Sequence, residues 1–244
     1  MYLHLFCRRI KCKYIIIMKK ISIGNQNTKK TRNKLHKSAQ SELFKFLKFI
    51  PLIIYSKISG IGITKLIKPS SVKDIYMAIA PQEGQFLYET ARISNAKNIV
   101  EFGTSFGVST IYLAQAIKEN GGGKLISTEI ELSKCKKAEY NIEQAGLSNY
   151  VEIRKGDAIK TLENIEEPID MVFLDGWKEL YLPVLKLLIP KLKNNAVVLA
   201  DNIYSFKKAL LPYKKFVQSC ENNFISTTIP FKSGIEYSVY RKNK

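Results

Sequence analysis

From Asn98 onward, short β-rich apolar runs and stretches of helical periodicity take turns five times, and that rhythm leaves few folds open. Asn98–Phe102, Leu125–Glu129, Tyr150–Arg154, Ile169–Leu174 and Ala196–Ala200 read as strands. Val108–Lys118, Ser133–Ala145, Ala158–Ile165, Glu179–Leu192 and Phe206–Cys220 read as the helices that follow them. Ser133 is the expected cap of the second helix, and Pro183 is expected to break or kink the fourth. Such repetition is the pattern of an open parallel sheet covered by helices on both faces. Phe224–Ile229 and Glu236–Tyr240, joined by the turn Lys232-Ser233-Gly234, read as an antiparallel pair at the end. Two short helices, Val72–Ala80 and Gly84–Ser94, precede the first strand.

Ahead of this unit the character of the chain changes. Residues 1–70 hold sixteen Lys/Arg against the single acid Glu42, so most of the formal charge of +18 lies there. Three regions are expected: a basic, disordered leader over 1–40, an apolar and basic helical segment over 41–71, and an α/β domain over 72–244. Met18 is a plausible start, and residues 24–40 read as a linker. A basic arm suits nucleic acid or an anionic membrane surface, or is only a solvated leader; both readings stand. Between Leu43 and Ile67, Pro51, Lys57, Gly60 and Gly62 interrupt the apolar run, which argues against a full membrane span. The segment is either a helix lying at a membrane interface or one packed on the α/β domain. No secretory leader is legible, so a cytoplasmic protein, membrane-peripheral through residues 41–67 if anything, is expected. Cys7, Cys12, Cys135 and Cys220 lack the spacing of a zinc site and read as reduced thiols. The two histidines, His4 and His36, lie in the basic arm, which excludes Ser-His-Asp or Cys-His chemistry in the α/β part.

The fourth and fifth strands each run into a carboxylate, in Phe173-Leu174-Asp175-Gly176-Trp177-Lys178 and Leu199-Ala200-Asp201-Asn202. In a parallel sheet Asp175, Asp201 and Asn202 emerge at one edge, and three oxygen donors there suit a hard divalent cation such as Mg²⁺. Lys178 follows close enough to act as a base if its amine is neutral, and a nearby cation and burial both push a lysine that way. Upstream, Glu101-Phe102-Gly103-Thr104-Ser105-Phe106-Gly107 carries a strand into a Gly-x-x-x-Gly turn, where the backbone can approach a ligand. It is neither a dinucleotide Gly-x-Gly-x-x-Gly nor a phosphate-cradling P-loop. Glu129 ends the second strand, where a carboxylate can accept both hydroxyls of a ribose. Gly156-Asp157-Ala158 follows the third, where Asp157 can accept from an adenine amino group.

Taken in order, these strand ends resemble the S-adenosylmethionine site of class I methyltransferases. The stretch Phe173–Tyr181, the pair Asp201-Asn202 and the segment Pro81–Leu87 resemble the metal-dependent O-methyltransferases of the catechol and caffeoyl-CoA type, over roughly residues 72–241. The resemblance implies a Rossmann-like, seven-stranded, mostly parallel sheet with an N-terminal helical extension. It implies S-adenosylmethionine contacts from Glu101, Gly103, Thr104, Ser105, Gly107, Ser109, Glu129, Ile130, Gly156, Asp157, Ala158, Asp175 and Trp177. Asp175, Asp201 and Asn202 would hold Mg²⁺ or a similar ion, Asp175 and Lys178 would serve catalysis with Lys178 as general base, and the acceptor would be a small hydroxyl compound. A homodimer is common among such proteins. The acid that contacts a second catechol hydroxyl has no match: the stretch before Ser233 reads Ser226-Thr227-Thr228-Ile229-Pro230. Two rivals remain, an RNA methyltransferase tethered by the basic arm and a non-catalytic, membrane-associated cofactor module. The first is disfavoured because Asp175-Gly176-Trp177 stands where base methylation commonly uses Asn/Asp-Pro-Pro-Tyr/Phe.

Overall fold

A computed structural model describes residues 23–242, except 73 and 167; the readings made for residues 1–22 lie outside the described residues. The described residues open with α1 (Gln26–Ser41), a 3₁₀ stretch (Leu43–Phe49), α2 (Ile50–Ser59) and α3 (Ile63–Leu66). Next come α4 (Pro81–Ile93), β1 (Asn98–Phe102), α5 (Val108–Glu119), β2 (Lys124–Glu129), α6 (Leu132–Gln144) and β3 (Val151–Lys155). The remainder is α7 (Ala158–Thr161), β4 (Ile169–Leu174), α8 (Tyr181–Leu188), β5 (Leu192–Ala200), α9 (Lys207–Gln218), β6 (Phe224–Ile229) and β7 (Ile235–Tyr240).

The seven strands form one sheet in the order β3-β2-β1-β4-β5-β7-β6. β1 to β5 are parallel, and β7 pairs antiparallel with both β5 and β6. Successive strand residues point to opposite faces, and both faces are covered. Ile99, Leu125, Phe173 and Leu199 join the core beneath α4, α5 and α6. Val100, Phe102, Val172, Leu174 and Val198 join the core beneath α8 and α9. Burial on both sides explains why the strands read as unbroken apolar runs. Register aligns Phe102 with Leu174 and Thr128, and Leu174 with Ala200, so Gly103, Glu129, Asp175 and Asp201 leave the sheet along one edge. The strand order reverses between β1 and β4, the place where open α/β sheets bind ligands.

Several sequence expectations need correction. Residues 24–40 are not a linker, because α1 packs on α5 and α6. Only Leu35 gives it a large buried apolar anchor; polar groups do the rest. Thr28 Oγ1 donates to Ala145 O at 3.1 Å, and the Arg32 guanidinium lies 4.6 Å from the centre of the Tyr112 ring. A pattern search for apolar periodicity passes over such a helix. Val72–Ala80 is not helical: a single 3₁₀ turn ends at Val72, and Pro81 holds Ala80 extended at φ −65°, ψ 153°. Glu131, not Ser133, takes the N-cap position of α6. Pro183 neither breaks nor kinks a long helix. It sits in the first turn of α8, where no backbone donor is lost, and Leu192 already opens β5. Among the described residues no helix is long and apolar enough to cross a membrane.

Candidate active site

The turn after β1 is built on a close approach. Gly103 has φ +105°, and a Cβ there would stand 2.7 Å from the carbonyl oxygen of Asp175. Gly176 returns the contact, since its own Cβ would meet the Phe102 ring at 2.5 Å. Asp175 N donates to Phe102 O at 2.9 Å and Asp201 N to Leu174 O at 3.0 Å, so the backbone ladder continues one residue past the strands and seats the two aspartates side by side. Asn202 adopts φ +68°, a left-handed conformation that asparagine tolerates, which turns the chain sharply after Asp201.

Around these carboxylates the polar groups interlock. Lys178, 8% exposed, donates from Nζ to Asp175 Oδ1 at 3.2 Å and to Tyr181 Oη at 2.9 Å, and its Nζ faces the Tyr181 and Phe206 rings. Asp201 Oδ1 accepts from Asn202 N and from Ser233 Oγ, each at 2.6 Å, while Oδ2 accepts from the Asn202 amide at 2.9 Å. Ser233 Oγ also lies 2.6 Å from Glu83 Oε1, and Glu83 Oε2 accepts from Ala80 N at 2.8 Å. Burial raises the Asp201 carboxyl to about 7, and repulsion from Asp175 and Glu83 adds to it against the Ser233 hydroxyl. Burial likewise raises Asp175, with Lys178 pulling the other way.

Asp175, Asp201 and Asn202 thus meet at one place, as the parallel register demands. Among the described residues no cluster of three or more His, Cys, Asp or Glu could hold a metal ion. The donor set is instead two carboxylates and a carboxamide, and no donor among the described residues reaches Asp175 Oδ2 or the Asn202 side-chain oxygen. Hard oxygen donors whose negative charges crowd one another fit a hard divalent cation.

The residues expected on the cofactor side divide in two. Glu129 Oε2 accepts from Ser105 N at 2.8 Å and Oε1 from Glu131 N at 3.0 Å, so the carboxylate orders the turn and keeps spare lone pairs. Asp157 caps α7 by accepting from Ile159 N at 2.8 Å and is otherwise exposed. Ile130 is exposed beside Glu129, and Trp177 is half-buried against the core under α8. Gly107 closes the turn ahead of α5, and Gly156 does so ahead of α7. Ala158 is buried. Glu101, Thr104 and Ser109 are buried under the turn rather than open to a ligand. Glu101 accepts from Thr110 Oγ1 and Ser127 Oγ at 2.6 Å each, and Thr104 Oγ1 meets Ser127 Oγ at 2.5 Å. Burial pushes the Glu101 carboxyl up to about 7 against the hydroxyls of Ser109, Ser127 and Thr110. Sequence reasoning missed Glu83, Ser233 and Tyr181. Glu83 lay inside the quoted Pro81–Leu87 segment, and Ser233 lay in a turn read only as a hairpin end.

Residues 100–203 match a family described as a methyltransferase domain. That stretch and its flanks are 36% identical over 138 residues to a catechol O-methyltransferase of Niastella koreensis, covering 55% of this chain and 62% of that protein. They are 31% identical over 132 residues to a caffeoyl-CoA O-methyltransferase of Petunia hybrida, covering 52% and 54%. The chain thus spans between about half and three fifths of the length of these curated relatives. In three dimensions the chain superposes on an O-methyltransferase of Bacillus cereus solved in complex with S-adenosylhomocysteine, with a TM-score of 0.61 and 25% identity, covering 67% of this chain and 83% of that one.

Proposed function

We propose that this chain is an O-methyltransferase that moves a methyl group from S-adenosylmethionine to a hydroxyl of a small acceptor, with a divalent cation held by Asp175, Asp201 and Asn202. The observation that carries the reading is the pairing of Asp175 and Asp201 on neighbouring strand ends, with Lys178 Nζ 3.2 Å from Asp175, directly beside the Gly103 turn. The names of the relatives support the reaction class and the kind of acceptor, a catechol or a caffeoyl thioester.

S-Adenosylmethionine supplies an electrophilic methyl group, and a dication such as Mg²⁺ supplies charge that stabilises an acceptor oxygen as its anion. The chain provides the rest. Gly103 lets the turn pack against the Asp175 backbone, and Glu129 offers lone pairs to the ribose hydroxyls while Ser105 N holds it in place. Asp157 offers its free oxygen to the adenine amino group. Lys178 takes the proton of the acceptor hydroxyl, and Tyr181 Oη and Asp175 Oδ1 fix where that amine stands. The acceleration then rests largely on holding oxygen and methyl carbon in line.

The test is purified protein with S-adenosylmethionine and catechol or caffeoyl-CoA, with and without Mg²⁺. Methylated product that vanishes on chelation is expected. Asp201→Ala should abolish turnover while calorimetry still records cofactor binding, and Lys178→Ala should lower kcat far more than cofactor affinity. Failure to bind S-adenosylmethionine overturns the reading; binding without turnover on either acceptor favours the non-catalytic cofactor module.

A further inference from the structure

Among the described residues, eight of the seventeen exposed large apolar side chains fall within the 18 residues from Phe44 to Ile61. They are not scattered. Ile50, Ile54 and Ile58 recur at the four-residue spacing of one helix face, and Ile58 is 81% exposed. No residue of α2 is buried. Yet the segment has a definite seat. Phe49 is buried with Val72 and Ile75, and Phe46, Leu52 and Ile67 pack against them, so the inward side already has its core. Lys48 Nζ donates to Ser71 O at 3.3 Å, and the Thr64 hydroxyl bonds Glu179, in the same 3₁₀ turn as Lys178. The outward apolar face is therefore held in place and left without a protein partner among the described residues.

Charge decides what covers it. Residues 43–72 contain five lysines and no acid. Lys45 is paired with Glu42 at 3.0 Å, whereas Lys57, Lys65 and Lys68 are exposed and form no ion pair among the described residues. A second copy meeting this face about a two-fold axis would set lysine against lysine. A bilayer rich in anionic lipid supplies hydrocarbon for the isoleucines and phosphates for the ammonium groups at the same depth. α2 is ten residues long, far short of a span, so it would lie in the interface plane. We infer that the face formed by the Leu43–Phe49 stretch, α2 and α3 docks on an anionic membrane surface. This inference is independent of the proposed reaction.

The full chain is to be spun with vesicles of phosphatidylcholine alone and of phosphatidylcholine mixed with phosphatidylglycerol. Binding to the mixed vesicles, weak on the neutral ones and released by high sodium chloride, is expected. The Lys57→Glu/Lys65→Glu/Lys68→Glu variant should weaken it by at least about 100-fold, at about fivefold for each lysine charge lost. Ile54→Asp/Ile58→Asp should remove vesicle binding while leaving the circular dichroism and Tm close to wild type, since both positions are exposed. A chain that stays in the supernatant with anionic vesicles overturns the inference. So does vesicle binding that neither variant changes. So does light scattering that shows a dimer which Ile54→Asp/Ile58→Asp turns into a monomer.

Discussion

In β4, Met171, Val172, Phe173 and Leu174 are all buried, whereas in α2 none of ten residues is, although both segments are rich in Ile, Leu and Val or Phe. The difference lies in what surrounds them. β4 has a strand on each side and helices on each face, so every side chain it carries meets another element. α2 packs inward through Leu52 on Phe49, Val72 and Ile75, Ser56 only bonds Ile61 O in the same segment, and the remaining surface of the helix is open. Apolar sequence is thus a demand for partners, and the topology decides whether the chain itself can supply them.

Substitutions can break or sharpen that contrast. Phe173→Ala should cost about 3–5 kcal/mol in urea unfolding, because a close-packed two-faced core cannot collapse around the hole. Glu101 tests the same core with a polar group. Its folded carboxyl titrates near 7 instead of 4.5, so the folded state keeps a proton that the unfolded state has lost. Stability from this group is full below pH 4.5 and is lost as pH rises through about 7. Glu101→Gln should flatten that slope and leave the variant up to about 3 kcal/mol more stable than wild type at pH 8, read from denaturation curves across pH. Ser233→Ala should lower stability by about 1 kcal/mol, since it leaves Asp201 and Glu83 facing each other without the shared hydroxyl, and should reduce turnover more than cofactor affinity. In the N-terminal segment Ile58→Ser should change stability by less than about 0.5 kcal/mol. A loss there as large as that for Phe173 would mean that the isoleucine face is already covered.

The same contrast explains what could be read beforehand. The central strands were legible because burial on both faces makes Val172, Phe173 and Leu174 consecutive apolar letters. The start of β5 was not, because Lys193, Asn194 and Asn195 are exposed and carry no apolar signal. α1 was missed because its hold on the domain is Thr28, Arg32 and one leucine rather than a stripe. Asp175, Lys178, Asp201 and Asn202 stood out because each lies at or just past the end of an apolar run, where parallel register brings them together. Glu83 and Ser233 lie 150 residues apart, and only the folded sheet makes them neighbours. Glu101 lies near the end of β1 but is fully buried, a depth that strand position alone does not reveal.

A methyl group on Gly103 would run into the backbone of Asp175 and Gly176, and one on Gly176 into the Phe102 ring. Random drift at either position alone meets backbone or an aromatic ring, so neither has a stepwise route to a larger residue. Both glycines should therefore persist as a fixed pivot at the sheet edge, whatever changes around them.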